Sequence, residues 1–164
     1  MSAEIRVGDV PIEITSAVGE MNTGRRFDIK SPGRPVKWAQ ACWNGEVIKG
    51  FAIKFHGDGE KLHTIGDWDN HHSVEYHRST TDVGPDDLLR VFKISTSSFG
   101  YKSARGLVMQ SRAMTKEQES WVAGNVTDPY SNLDVVDRYW MGIYGTLNSD
   151  NFINALGLWV TTKK

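Results

Sequence analysis

The chain has 164 residues, a formal net charge of −1, 39% hydrophobic and 24% charged residues. That length fits one domain over 1–164, with a core that needs no covalent staples. The balanced charge offers no broad basic field, which argues against nucleic acid as a partner, and no apolar run reaches the ~20 residues of a spanning helix, which argues against membrane insertion.

Residues 1–35 are irregular. Ile5, Val7, Val10, Ile12 and Ile14 suggest an edge hairpin, interrupted by Gly8-Asp9 and Pro11. Met1 to Arg6 carries no apolar stretch of the kind that opens a secretory leader. It reads as cytoplasmic, or as an extracellular protein whose leader has been removed. Pro32-Gly33-Arg34-Pro35 is a stiff connector into the first clear strand, 36–43. Asn44-Gly45 then suits a turn with positive φ at both centres, and 47–56 returns as the partner strand. Within it Phe51, Ile53 and Phe55 alternate with Ala52, Lys54 and His56. Gly57-Asp58-Gly59 turns the chain into a short strand at 61–66.

Further strands are expected at 73–77, 88–96, 104–112, 119–123, 138–144 and 155–162. Each is bounded by Gly, Asn, Asp, Ser or Pro. Thr115 to Glu119 has helix-friendly composition but is too short to hold a helix, so it reads as a turn. Ten or more short strands with almost no helix make the chain all-β: a sandwich, barrel or prism.

Chemistry-bearing residues are few. Cys42 is the single cysteine and sits inside a strand, so it reads as a buried inert thiol. His63, His71, His72 and His77 lie near Asp67 and Asp69, but their spacing matches no closed metal site, so no metal and no cofactor is expected. Asp86-Asp87 and Asp134 with Asp137 offer paired carboxylates. Nothing in the sequence sets either pair at the about 5–9 Å that glycoside hydrolysis requires. No nucleophile elbow, phosphate loop or dinucleotide fingerprint is present, so no enzyme activity is expected. Two polar segments carry aromatics: Phe99-Gly100-Tyr101-Lys102-Ser103, and Phe152 among Asn148, Ser149, Asp150, Asn151 and Asn154. Aromatic faces beside amides and carboxylates suit a sugar, with its apolar ring face and hydroxyl fringe. The same residues also make good turns.

The order of these pieces resembles the jacalin-related lectins. The similarity rests on the loop Val18-Gly19-Glu20-Met21-Asn22-Thr23-Gly24, on Phe27-Asp28, and on the strands and turns from 36 to Gly66. It continues through Phe99 to Leu107 and the closing Asn154-Ala155-Leu156-Gly157-Leu158-Trp159-Val160. It covers about 19–162. The resemblance implies a β-prism of three Greek-key four-stranded sheets, here with a short N-terminal extension. It implies binding of glycans and glycoproteins through loops at one end of the prism, and assembly as a homo-oligomer such as a dimer.

In that family three loops meet at the sugar, the third carrying a Gly-x-x-x-Asp motif before the last strand. Here the glycine position is Asp150 and the aspartate position is Asn154. The resemblance therefore implies sugar contacts from Gly19, Tyr101, Lys102, Asp150, Asn151, Phe152 and Asn154. Backbone N–H groups at 151 and 152 should donate, Asn154 Oδ1 or Asp150 should accept, and Tyr101 or Phe152 should cover a sugar face. On this reading Asn154→Asp restores the family's acceptor and keeps or tightens mannose binding. The family's galactose-preferring members have a cut chain near the site, whereas this N-terminal segment is continuous, which favours a mannose/glucose type. The alternative is a structural or protein-interaction β-prism that has lost its sugar site, which the two changed motif positions favour.

Overall fold

A computed structural model describes residues 11–31, 33–44, 47–68, 77–96, 103–116, 119–126 and 130–162. Among them there is no α-helix, and thirteen strands form three antiparallel sheets. The first strands are β1 (Ile12–Ile14), β2 (Val18–Gly19), β3 (Arg25–Lys30), β4 (Val36–Trp43) and β5 (Ile48–Phe55). Then come β6 (His63–Gly66), β7 (His77–Asp82), β8 (Leu89–Thr96), β9 (Ala104–Ser111) and β10 (Trp121–Gly124). The chain closes with β11 (Tyr130–Asn132), β12 (Trp140–Leu147) and β13 (Ile153–Thr161).

Two sheets are built from local chain, in the orders β6-β5-β4-β7 and β10-β9-β8-β11. In each, three consecutive strands meander and the fourth returns beside the first, which is a Greek key. The remaining sheet, β1-β13-β12-β3, is assembled from both ends of the chain. Its outer strand is split: β1 pairs with the end of β13 and β2 pairs with its beginning. The three-sheet prism is thus the expected fold.

Alternation explains most of the strands. In β5 nearly every residue is buried, because this strand lies centrally in its sheet, and Phe51, Ile53 and Phe55 turn to the core. The core joins side chains from all three sheets. At its centre the Trp140 ring meets Phe92 edge-on at 5.4 Å and Phe51 at 6.5 Å, and Trp121 lies 6.2 Å away. Such pairs add to the burial already driving these rings inward.

Four strands differ from the sequence expectation. β2, β3 and β11 fall where none was expected, and β7 covers 77–82 where 73–77 was expected; 73–76 lies outside the described residues. β7 reads His-Arg-Ser-Thr-Thr-Asp and is half exposed, and β11 reads Tyr-Ser-Asn and is exposed throughout; both lie at sheet edges. An edge strand needs only backbone pairing on one side, so it can form without an apolar pattern. β3 does alternate: Phe27 and Ile29 pack on the core, while Arg26, Asp28 and Lys30 are exposed.

Cys42 is fully buried, and its Sγ lies 3.7 Å from the Asp67 carbonyl oxygen. Burial pushes its pKa up to about 11, with the Asp67 charge adding to the rise and the Arg78 charge opposing it. The folded state therefore holds this proton more tightly than the unfolded state. The associated stability is full below the unfolded value and is lost as pH rises through about 11. Ellman titration at pH 8 should find almost no reactive thiol in the native protein and about one per chain in guanidinium. Fast native labelling would contradict the buried position.

Candidate functional site

Gly19 and Gly24 decide how the first loop meets the last hairpin. Gly19 sits at φ +110°, and a Cβ there would lie 2.2 Å from the Asn154 carbonyl oxygen. Gly24 sits at φ +84°, and its Cβ would lie 2.1 Å from the Leu147 carbonyl oxygen. Both positions exclude a side chain, by conformation and by space. The backbone between them is thereby held against β12 and β13.

The β12–β13 hairpin is closed by Asn148. Its Oδ1 accepts from the backbone N–H groups of Asp150 (2.9 Å) and Phe152 (3.0 Å). Its carbonyl accepts from Asn151 N–H at 3.0 Å, and its own N–H donates to the Phe152 carbonyl at 2.9 Å. Asn151 takes φ 67°, a left-handed conformation that asparagine tolerates better than most residues.

Below the hairpin lies a buried polar knot. Asn154 is 3% exposed. Its Nδ2 donates to the Glu20 carbonyl at 2.8 Å and lies 3.2 Å from Thr23 Oγ1 and 3.3 Å from Thr146 Oγ1. The Thr146 hydroxyl donates to the same Glu20 carbonyl at 2.7 Å. Ser103 Oγ, at the entry to β9, lies 3.5 Å from Asn154 Oδ1. One amide thus joins the first loop, the central segment and the last two strands.

Above this knot opens a cleft of about 1000 Å³, lined by Thr23, Gly24, Arg25, Ser103, Leu147, Asn148, Ser149, Asp150, Asn151 and Asn154. Arg25 and Asp150 are exposed at its rim. The Arg25 guanidinium donates to Asn151 Oδ1 at 2.6 Å, which fixes the direction of an otherwise free side chain. The cleft can therefore offer one oriented cation, one carboxylate, amides and hydroxyls. Among the described residues no group of three or more His, Cys, Asp or Glu side chains is arranged to hold a metal.

Of the residues expected from sequence, Asp150, Asn151 and Asn154 line the cleft. Tyr101 and Lys102 lie outside the described residues, as do His71 and His72. Gly19 does not line the cleft but shapes it from behind, through its contact with β13. Phe152 does not line it either; the Lys49 ammonium, on a buried side chain, sits 3.2 Å from its ring centroid. The N–H groups of Asn151 and Phe152, expected to donate to a sugar, are engaged by Asn148. Arg25 was not anticipated, and Asn148 was named in the polar segment but not among the contact residues. Arg25 follows Gly24 directly and Asn148 opens the expected Asn-Ser-Asp-Asn turn, so adjacency to the loop motifs was the available signal.

No protein-family model matches the sequence, and no curated protein matches it. Solved structures do. A mannose-binding lectin from Champedak aligns with a TM-score of 0.69 at 14% identity, over 99% of this chain and 100% of that one. Malaysian banana lectin aligns at 0.68 and 13% identity, over 94% and 99%. A single-chain recombinant jacalin aligns at 0.66 and 12% identity, over 94% and 95%. Near-complete coverage in both directions, with the three-sheet topology, gives this chain the β-prism fold of the jacalin-related lectins.

Proposed function

We propose that this protein is a non-enzymatic carbohydrate-binding protein of the mannose/glucose type, taking glycans in the cleft between the β2–β3 loop, the start of β9 and the β12–β13 hairpin. The observation that carries the reading is convergence: three segments far apart in sequence meet at one open polar cleft. A fold alone would not assign the function, since one fold hosts many. The lectins of like fold supply a precedent for a sugar site, and the oxygen-rich lining supplies chemistry that hydroxyls can use.

Asp150 is the acceptor this reading tests first. Its carboxylate is exposed, and only its backbone N–H helps close the hairpin. Asp150→Ala should leave the melting temperature unchanged and weaken glycan binding by about tenfold, the cost of a hydrogen bond to a charged group. Titration calorimetry of both proteins with a mannose oligosaccharide checks this. Equal affinities would remove Asp150 from the site, and silence of the wild type across a broad glycan array would remove the reading.

A second reading has its own support. Asn148 occupies the hairpin N–H groups, and Asn154 spends its amide inside the protein. That pattern suits a β-prism whose sugar site has been converted to internal bonding and which binds another protein instead. The same array separates the two.

A further inference from the structure

We infer that the cleft selects acidic glycans, sugars bearing a carboxylate or a sulfate, through Arg25. The inference rests on the carbohydrate reading above and names its substrate class. Arg25 lies in the cleft lining beside Gly24, where no side chain intrudes. One guanidinium nitrogen is tied to Asn151 Oδ1, and Asn151 is itself pinned by the hairpin. An arginine held at one corner keeps its remaining N–H donors in a fixed fork, the geometry that matches a planar or tetrahedral oxyanion.

The charge balance of the cleft points the same way. The position that would carry a central carboxylate in the resembled family is Asn154, a neutral amide whose donors are used internally. The formal charges left in the described lining are Arg25 and Asp150. Among the described residues neither is in an ion pair. Arg25 is therefore not tied to Asp150 by an ion pair. A sugar residue with an oxyanion at one edge and hydroxyls at another satisfies both groups at once: oxyanion to guanidinium, hydroxyls to Asp150. A neutral sugar engages the guanidinium only through neutral acceptors, without the bidentate oxyanion pairing that fits the fork.

The test is titration calorimetry with three matched oligosaccharides, ending in glucose, glucuronate or 6-sulfoglucose. The wild type should bind an acidic probe about tenfold to a hundredfold more tightly than the neutral one, the range for a charge-assisted contact. The ratio should shrink as salt rises, and the two acidic probes tell carboxylate from sulfate. Arg25→Gln should abolish the ratio, and Arg25→Lys should keep only part of it, because a point charge replaces the fork. Arg26→Gln is the control: Arg26 is exposed next door on β3 but lies outside the cleft lining, and its loss should leave the ratio intact. Equal binding of neutral and acidic probes overturns the inference while leaving the carbohydrate reading standing. A ratio that survives Arg25→Gln, or falls equally in Arg26→Gln, overturns the assignment to Arg25. Binding of none of the three, nor of any glycan on an array, overturns both.

Discussion

Asn154→Asp should destabilise the protein by about 3–5 kcal/mol at neutral pH, the scale of a buried charge without its partner. From the sequence alone this change restores a familiar acceptor and should favour mannose. The structure reverses that expectation. Residue 154 is 3% exposed, and its Nδ2 donates to the Glu20 carbonyl at 2.8 Å. An aspartate puts an anionic oxygen against that carbonyl oxygen, where neither can donate. The Thr146 hydroxyl already gives its proton to the same carbonyl, so it is not free to compensate without abandoning it.

The sign of the pH dependence follows. Burial and the facing carbonyl raise the new carboxyl's folded pKa above the ordinary aspartate value of about 3.9. Below that value both states are protonated, and the neutral acid can donate to Glu20. The penalty therefore grows as pH rises from about 4 toward the raised folded value. Urea melts of wild type and variant at pH 4 and pH 7 check this. A variant as stable as wild type at pH 7 would show that Asn154 does not hold the three segments together.

Gly19→Ala should cost about 2–5 kcal/mol, summing the positive-φ strain and an overpacked backbone contact. For a chain of this size that corresponds to a drop of roughly 5–20 °C in melting temperature. The new Cβ would lie 2.2 Å from the Asn154 carbonyl oxygen and 2.9 Å from Ala155 Cα. These are backbone atoms of a central strand, paired on its other side with β12, so they cannot move aside cheaply. The expected response is detachment of β2 from β13, followed by loosening of the Glu20–Thr23 loop. Gly59→Ala separates strain from clash: Gly59 has φ +60° but nothing within 4 Å, so only the conformational part, about 1–2 kcal/mol, should be lost. Thermal melts of both variants decide the matter. Equal small losses would mean that β2 does not pack on β13 at this distance. Lost glycan binding in Gly19→Ala reports loop collapse rather than a missing contact, so Asp150 and Arg25 are the cleaner probes of recognition.

The sequence determined most of the strands that pack on the core, β3 being an exception. Where apolar residues alternate between clear turns, as at 36–43 and 47–56, the burial of one face dictates an extended chain, and the observed β4 and β5 fall within one residue of those limits. The turn-bounded spacing of such segments, joined with the resemblance, also led to the three-sheet prism. It did not yield β7 or β11, whose edge positions are stabilised by backbone pairing to β4 and β8 rather than by side-chain pattern. Of the candidate residues named from the sequence, Asp150, Asn151 and Asn154 line the cleft. What each does was decided only by the tertiary structure. Residue 20, residue 103 and the hairpin pair 146 and 154 are far apart along the chain, yet they share one hydrogen-bond knot because the three sheets bring the first loop and the entry to β9 against the β12–β13 hairpin. Whether an amide faces solvent or a buried carbonyl depends on which loop lies over it, and that is a property of the assembled sheets. The same assembly turned Arg25, one residue past a glycine, toward the cleft, whereas Asn148 closes its own hairpin through local bonds.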